Sequence, residues 1–442
     1  MKVAFHTLGC KVNQYETETL REMFVNKNYE IVDDDSYADL YIINTCTVTG
    51  LADRKSRQVI RRMKKRNPNG IIAVTGCYAQ ISPDEVGAIE GVNIVLGIKE
   101  KTRLIDYVEQ YIKERAPLHQ VTSLEELTNY EETEPIMAME SRTRAFIKVQ
   151  EGCDRCCTYC VVPLARGAVR SRAADSIVSE AENLIQKGFK EIIITGINTA
   201  LYGTEEGFSD VSDSGLRGIE SIIDKLNRLS GDFRIRLSSL EPTVVDAAAV
   251  KRLMKYEKLC HHIHLSVQSG SDKIVKQMNR QYTIGEYMEI VWELRKFDSD
   301  YGISTDIIVG FPGEEDQDFD DSVSLVQTVD FCKVHVFKYS PRKGTPAADM
   351  QGQISGLIKN TRGAALIREG EASAKRFFEN NLGKIKRVLV EEYLEDIDCY
   401  TGYSENYIRV YINKNHVNQI NVNTFYDVVL KELFQDGIKA EL

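Results

Sequence analysis

Apolar positions over the first 115 or so residues alternate between short unbroken runs and longer stretches of helical period. Lys2–His6, Leu40–Ile43, Ile71–Val74 and Ile94–Leu96 are brief apolar runs of the kind buried strands carry, whereas Gln14–Lys27 and Ala52–Arg66 have helical spacing. Residues 1–115 therefore predict an open parallel α/β sheet with helices on its faces. Residues 116–140 hold two prolines, many acids and little periodicity, and read as a linker. The alternation resumes over 141–380 at a longer period. Strands are expected at Phe146–Val149, Glu191–Thr195, Arg234–Leu237, His262–Ser266, Ser304–Val309 and Lys333–Phe337. Helical patterns fall between them at Ser176–Lys187, Ile219–Leu229, Thr243–Tyr256, Gly285–Phe297 and Phe319–Thr328, and a further helix spans Ile354–Asn380. Six βα units of this kind predict a parallel sheet closed or partly closed like a TIM barrel, with ligands at the carboxyl ends of its strands. Over 381–442 the pattern shifts to short runs rich in Val, Ile and Tyr, at Ile385–Tyr393, Tyr407–Ile412, Asn418–Val422 and Asp427–Leu433. These predict a small antiparallel β-barrel.

Composition narrows the class without changing that outline. At 442 residues, 43% hydrophobic and 28% charged, the chain reads as a globular protein of two or three domains. No apolar run reaches membrane-spanning length, and Met1–Thr7 lacks the features of a signal peptide, so a cytoplasmic protein with no membrane partner is expected. Thiols stay reduced there, and ten cysteines then point to ligation rather than disulfides. The formal charge of −10 argues against coating nucleic acid by bulk charge. It leaves room for a local contact, and the basic helical stretch Arg54–Arg66 is a candidate for phosphates, with a merely solvated face as the equal alternative.

Cys153, Cys157 and Cys160 follow directly on the first barrel strand, in the run Gly152-Cys153-Asp154-Arg155-Cys156-Cys157-Thr158-Tyr159-Cys160. Thiolates suit iron–sulfur clusters, and a four-iron cluster held by three of them keeps one iron open for a ligand. Cys156 also creates two abutting pairs that resemble zinc knuckles. Zinc sites separate their knuckles so that two loops approach from opposite sides, and ligands this close can hardly surround the ion. The cluster is the better reading, with Cys156 a bystander.

Cys10, Cys46 and Cys77 each follow a predicted strand of the first domain. Singly, each is as well read as a buried structural thiol. Carboxyl-end loops of neighbouring parallel strands converge, however, and three cysteines in that position favour a second ligand set. Cys260, Cys332 and Cys399 match no motif and are expected to be structural. His261, His262 and His264 are expected to pack rather than bind metal.

The three-cysteine loop resembles the signature of the radical S-adenosylmethionine (SAM) superfamily. Its surroundings resemble the methylthiotransferases: Pro163, Arg166-Gly167 and Ser171-Arg172 follow the loop, then Thr195-Gly196-Ile197-Asn198, Arg236 through Pro242, His264 through Ser271, Met278-Asn279-Arg280, Thr305 through Glu314 and Tyr339-Ser340-Pro341. The resemblance spans nearly the whole chain. It implies two [4Fe-4S] clusters, one on Cys153, Cys157 and Cys160 that binds SAM, and an auxiliary one on Cys10, Cys46 and Cys77 that carries the sulfur. It also implies SAM contacts from Gly196, Asn198, Arg236, Ser238, Glu241, Gln268, Gly310 and Phe311. Among these Gly196 would meet the amino group, Arg236 and Ser238 the carboxylate, and Gly310 and Phe311 the adenine. The C-terminal barrel resembles the RNA-binding TRAM module. Its Glu391, Glu392, Glu395, Asp396 and Asp398 weaken a general electrostatic grip, although Tyr393, Arg409 and Lys414 offer a local face.

Gly9-Cys10-Lys11-Val12-Asn13-Gln14-Tyr15-Glu16 resembles the branch that methylthiolates C2 of threonylcarbamoyladenosine at position 37. The implied partners are a tRNA anticodon stem-loop, SAM and an electron donor such as flavodoxin or ferredoxin. The isopentenyladenosine branch and the ribosomal-protein branch are the enzymatic alternatives. A non-catalytic iron–sulfur RNA-binding or redox-sensing protein is the alternative of another class.

Overall fold

The computed structural model describes residues 1–132, 143–209, 215–242, 246–413 and 420–442. Its first unit is a six-stranded parallel sheet of β1 (Lys2–Thr7), β2 (Glu30–Val32), β3 (Leu40–Thr45), β4 (Ile71–Gly76), β5 (Ile94–Leu96) and β6 (Leu118–Gln120), in the order β2-β1-β3-β4-β5-β6. Both faces are covered, and the two-residue period of the strands sorts them. Phe5, Leu40 and Ile42 meet Leu20 and Phe24 of helix Lys11–Asn26 on one side. Ala4, Tyr41 and Ile43 meet Val59, Ile60 and Met63 of helix Gly50–Arg66 on the other. Strand β6 lies inside the stretch expected to be a linker. With one apolar residue in Leu118-His119-Gln120, its strand character comes from pairing with β5 and not from local pattern. Residues 133–140 of that stretch lie outside the described residues.

The second unit has six parallel strands in chain order. They are β7 (Arg144–Glu151), β9 (Glu191–Gly196), β10 (Arg234–Leu237) continued after a break as β11 (Ser239–Leu240), β12 (His262–Leu265), β13 (Gly302–Val309) and β14 (Lys333–Lys338). Short β8 (Arg170–Ser171) adds antiparallel to β7. The sheet curls into a partial barrel, and its outward residues, among them Ile147, Ile194, Ile263 and Ile307, form the largest core under the outer helices. The helix expected from Thr243 is seen as Ala247–Leu253, and 243–245 lie outside the described residues.

Helix Gly356–Glu379 leads to a closed five-stranded barrel of β15 (Ile385–Leu394), β16 (Cys399–Ser404), β17 (Arg409–Asn413), β18 (Thr424–Phe434) and β19 (Gly437–Glu441), ordered β15-β16-β17-β19-β18. The strand expected at Asn418–Val422 is corrected. Residues 420–422 form none, 418–419 are outside the described residues, and the ladder is completed by β16 and β19. Polar β16 was masked by Thr401, Gly402 and Ser404, yet Gly402 is required: a Cβ there would lie 1.9 Å from the Leu389 carbonyl. This small barrel closes the amino end of the larger one. Arg236 reaches the Ser404 carbonyl at 3.2 Å, Asn406 donates to the Asp300 carbonyl at 2.9 Å, and Tyr407 packs on His262. Among the described residues no helix is long and apolar enough to cross a membrane.

Candidate active site between two cysteine trios

In the first unit the chain order reverses between β1 and β3, the point where ligands collect at the carboxyl edge of such sheets. Cys10 follows β1, Cys46 follows β3 and Cys77 follows β4. Two glycines allow the approach. Gly9, at φ +109°, brings its backbone against Cys46, where a Cβ would stand 3.1 Å from the sulfur. Gly76, at φ +94°, fits beside the Thr45 carbonyl, 2.4 Å from where a Cβ would be. The helix starts at Lys11 rather than Gln14, because the Cys10 carbonyl already accepts the first helical bond from Gln14 at 3.1 Å. Cys10 thus caps the positive end of a helix, which favours an anionic group. Burial and the neighbouring Cys77 push the Cys46 thiol up to about 11, and burial also raises Cys77, opposed by Arg166.

The second trio leaves the carboxyl end of β7. Gly152 has φ +72° and sits where a Cβ would strike the Ala168 carbonyl, so the turn admits only glycine. The loop is then pinned from outside: Thr158 N–H donates to the Met278 carbonyl at 3.0 Å, and Asn279 Nδ2 to the Cys156 carbonyl at 2.8 Å. Arg280 Nη1 lies 3.7 Å from the Cys157 sulfur and 3.3 Å from Glu241. Burial raises Cys153 to about 12 and Cys160 to about 11. Three sulfurs held together with their ionisation opposed are suited to a cationic cluster, which supplies the missing positive charge. Both donor sets fit [4Fe-4S] clusters. Cys156 is exposed, its sulfur turned to the Asp154 carbonyl. Cys156→Ala is therefore expected to retain wild-type iron content and SAM cleavage, measured by iron assay and 5′-deoxyadenosine yield.

The two carboxyl edges face each other. Gly50 N–H donates to Ser340 Oγ at 3.1 Å, and Arg342 pairs with Asp53 at 2.7 Å. Arg166 is the centre of the seam. Its guanidinium reaches Glu16 and Glu151, each at 2.6 Å, Asn13 at 2.7 Å and the Cys77 sulfur at 3.2 Å. Lys148 and Lys101 complete the charge balance on Glu16, at 3.1 and 2.6 Å. Burial opposes ionisation of Glu16, but these three cations hold its carboxyl well below the usual range. Sequence reasoning did not single out this network; the only signal was that Arg166 and Glu16 both stand in the quoted motifs. A cavity of about 200 Å³ is lined by Val48 and Thr49, which follow Cys46 in the chain, from one unit and by Tyr159, Cys160, Gln268, Asp306 and Tyr339 from the other.

Of the expected SAM residues, several gather beside the loop. Asn198 donates to Glu241 at 2.7 Å and its N–H to Gln150 at 2.9 Å, against which Gly196 also packs. Gln268, at φ +66°, lines the cavity, and Ser238 marks the break between β10 and β11. Arg236, Gly310 and Phe311 lie apart from this group. Arg236 stands one residue before the end of β10, where it was expected. It faces the closed amino end of the barrel, where Glu191 holds it at 2.9 Å. Phe311 is fully buried against Ile274, Met278 and Tyr339, and Gly310 lies under the Lys359 side chain.

Helix Gly50–Arg66 begins four residues after Cys46 and turns Val59, Ile60 and Met63 inward. Arg54, Lys55, Arg61, Arg62 and Lys65 are left exposed. Arg409, in the small barrel, pairs with Asp436 at 3.3 Å, and Lys414 lies outside the described residues.

Residues 2–97 match the Uncharacterized protein family UPF0004, and residues 147–326 match the Radical SAM superfamily. The chain is 40% identical over 411 residues to the threonylcarbamoyladenosine tRNA methylthiotransferase MtaB of Bacillus subtilis (strain 168), covering 92% of this chain and 89% of that protein. It is 38% identical over 437 residues to the protein of the same name from Thermotoga maritima, covering 99% and 96%. A tRNA-2-methylthio-N(6)-dimethylallyladenosine synthase from Clostridium tetani is 32% identical over 98% of this chain and 95% of its own. Among solved structures, the radical S-adenosylmethionine methyltransferase TsrM from Kitasatospora setae shares the fold with a TM-score of 0.56 at 13% identity, covering 78% of this chain and 77% of that one.

Proposed function

The chain belongs to the radical SAM tRNA methylthiotransferases, and from that premise we propose that it places a methylthio group on C2 of N6-threonylcarbamoyladenosine at position 37, beside the anticodon. One observation carries the reading: the cavity that Cys160 lines is walled from the other unit by Val48 and Thr49, which follow Cys46 in the chain, so a base held there lies between the loops that carry the two trios. When bound, the two clusters and SAM supply reductive cleavage for hydrogen abstraction on one side and the transferable sulfur on the other.

The protein's own residues bind and orient. Cys153, Cys157 and Cys160 hold one cluster, and Cys10, Cys46 and Cys77 the other. Glu241, with Asn198 beside it, offers a carboxylate and an amide to the amino group of SAM, while Arg280 and Arg155 flank that carboxylate and suit the SAM carboxylate. Tyr159, Phe337 and Tyr339 line the cavity with apolar surface that keeps water from the reacting atoms. The exposed basic face of helix Gly50–Arg66 runs from the site outward and suits the phosphates of an RNA stem. A tRNA substrate places this work in the cytoplasm, and a one-electron donor of the flavodoxin or ferredoxin kind completes it.

Mass spectrometry of tRNA nucleosides from a strain lacking the gene is the test. Loss of the 2-methylthio form of threonylcarbamoyladenosine, with its unmodified parent accumulating, is expected. Loss of the dimethylallyl analogue instead, or an unchanged nucleoside profile, would overturn the reading; the second outcome would favour a ribosomal-protein target or a binding protein.

A further inference from the structure

Closed parallel barrels fill their interior with layers of branched apolar side chains. This one does not. The lumen is lined by charged and imidazole groups because the strand alternation sends Ile263, Leu265, Ile303 and Ile307 outward to the helices and leaves His262, His264, Ser304 and Asp306 facing in. His264, Asp306 and His335 lie with their polar atoms within 4.8 Å of one another. His264 Nε2 is 3.2 Å from Asp306, and its Nδ1 is 3.0 Å from Ser304 Oγ. Asp306 also lines the cavity that reaches Cys160, so this carboxylate borders both the lumen and the candidate site.

Lys11 enters this lumen from the other unit. It follows Cys10 at the start of its helix and acts electrostatically on Arg144, Glu191, Arg236, His262, Asp306 and His335. Those residues come from β7, β9, β10, β12, β13 and β14 in turn, one from every parallel strand of the barrel. A side chain within electrostatic range of all six faces the barrel interior. Lys11 is nevertheless exposed, and makes no hydrogen bond or ion pair with any described residue. His335, also exposed, has the His264 ring beside it at 5.8 Å and a carboxylate oxygen of Asp306 within 4.8 Å of a ring nitrogen. An ammonium and an imidazole therefore stand open in a walled space, below the place where the target base would sit.

We propose that Lys11, assisted by His335, is the specificity-determining group that reads the anionic N6 substituent of the target adenine by pairing with its threonyl carboxylate. This rests on the substrate proposed above. With the adenine in the cavity between Cys160 and Asp306, its substituent extends down the lumen toward Lys11. A cation in an enclosure of reduced dielectric attracts a carboxylate far more strongly than one in bulk water. A dimethylallyl group in the same place would cover Lys11 without giving it a partner, and a buried unpaired ammonium is costly. One side chain thus both favours the acid and rejects the apolar analogue. Because Lys11 is the residue after Cys10, reading the substituent also sets the base in register with the sulfur-bearing trio.

The test uses the reconstituted holoenzyme and two synthetic anticodon stem-loops, one with threonylcarbamoyladenosine and one with its threonyl methyl ester, which is neutral. The wild type is expected to show a KM about tenfold or more higher for the ester, the scale of a lost charged hydrogen bond. Lys11→Met should raise KM for the acid to the ester's value and erase the preference. Lys11→Arg should restore part of it, and all should form 5′-deoxyadenosine with full iron content. Should Lys11→Met lose iron at neighbouring Cys10, His335→Gln carries the same comparison from a strand without cluster cysteines, and its acid-to-ester preference should fall. Acid and ester used equally by the wild type, or a preference unchanged in these variants, would overturn the assignment while leaving the substrate intact. A wild type that methylthiolates only dimethylallyl RNA would remove the substrate reading and this assignment together.

Discussion

Arg166→Ala is expected to destabilise the protein by about 3–5 kcal/mol, the usual consequence of leaving buried charges without their partner, and to empty the auxiliary trio of iron. Arg166 is buried and holds two carboxylates from opposite units, Glu16 and Glu151, each at 2.6 Å. Alanine leaves both acids facing Lys148 and Lys101, with one guanidinium missing from the balance. It also removes the only N–H donor to the Cys77 sulfur among the described residues, at 3.2 Å. Urea melts and iron assays on the purified variant measure the two effects separately. A variant with unchanged midpoint and full iron would refute the role given to this network. The pH dependence follows from the same groups. Glu16 and Glu151 are held below the ordinary carboxylate range, so their contribution is present above the unfolded value of about 4.3 and is lost as pH falls toward their native values. In Arg166→Ala that acid-side loss should begin at higher pH, because the cation contributing most to the depression of Glu16 is gone.

Most of the architecture was readable because buried parallel strands are unbroken apolar runs. Ile71–Val74 and Ile94–Leu96 need no context to be recognised, whereas β6 and β16 carry too few apolar residues and exist through their neighbours. The cysteine positions were legible for a related reason, since a residue just after a parallel strand has one edge to go to. Arg166 was not, because its partners lie as far as 153 positions away and leave no local period. Arg236 shows the opposite failure. Its strand was expected at Arg234–Leu237 and is found there, but the guanidinium turns to Glu191 and the Ser404 carbonyl at the closed end of the barrel, which strand bounds alone do not reveal. His261 and His262 pack on aromatic rings as expected, whereas the place of His264 and His335 on the inner face rests on a fact that no strand pattern holds. Whether the inner face of a strand meets a core or a lumen depends on how the whole sheet curls.

Cys157→Ala and Cys10→Ala should separate the two trios into two chemistries. Cys157 is buried, faces Arg280 at 3.7 Å and belongs to the loop beside Glu241, so its loss should reduce 5′-deoxyadenosine formation to background. Two thiolates cannot hold the cluster face that three must share. Cys10 lies in the other unit, against Asn13, and its removal leaves the loop, Met278, Asn279 and Arg280 untouched. Cys10→Ala should therefore lose about half of the iron, keep SAM cleavage and form no methylthio product. Anaerobic reconstitution with dithionite and an anticodon stem-loop, read by iron assay, deoxyadenosine yield and nucleoside mass, checks all three at once. Deoxyadenosine persisting in Cys157→Ala would remove SAM from that loop. Normal methylthio product from Cys10→Ala would mean that the sulfur does not come from the N-terminal trio. Arg166 explains why the two losses should still communicate. It joins Cys77 to Glu151 across the seam, and a trio without iron leaves that guanidinium beside neutral thiols, so Cys10→Ala should also lower the melting midpoint while Cys156→Ala should not.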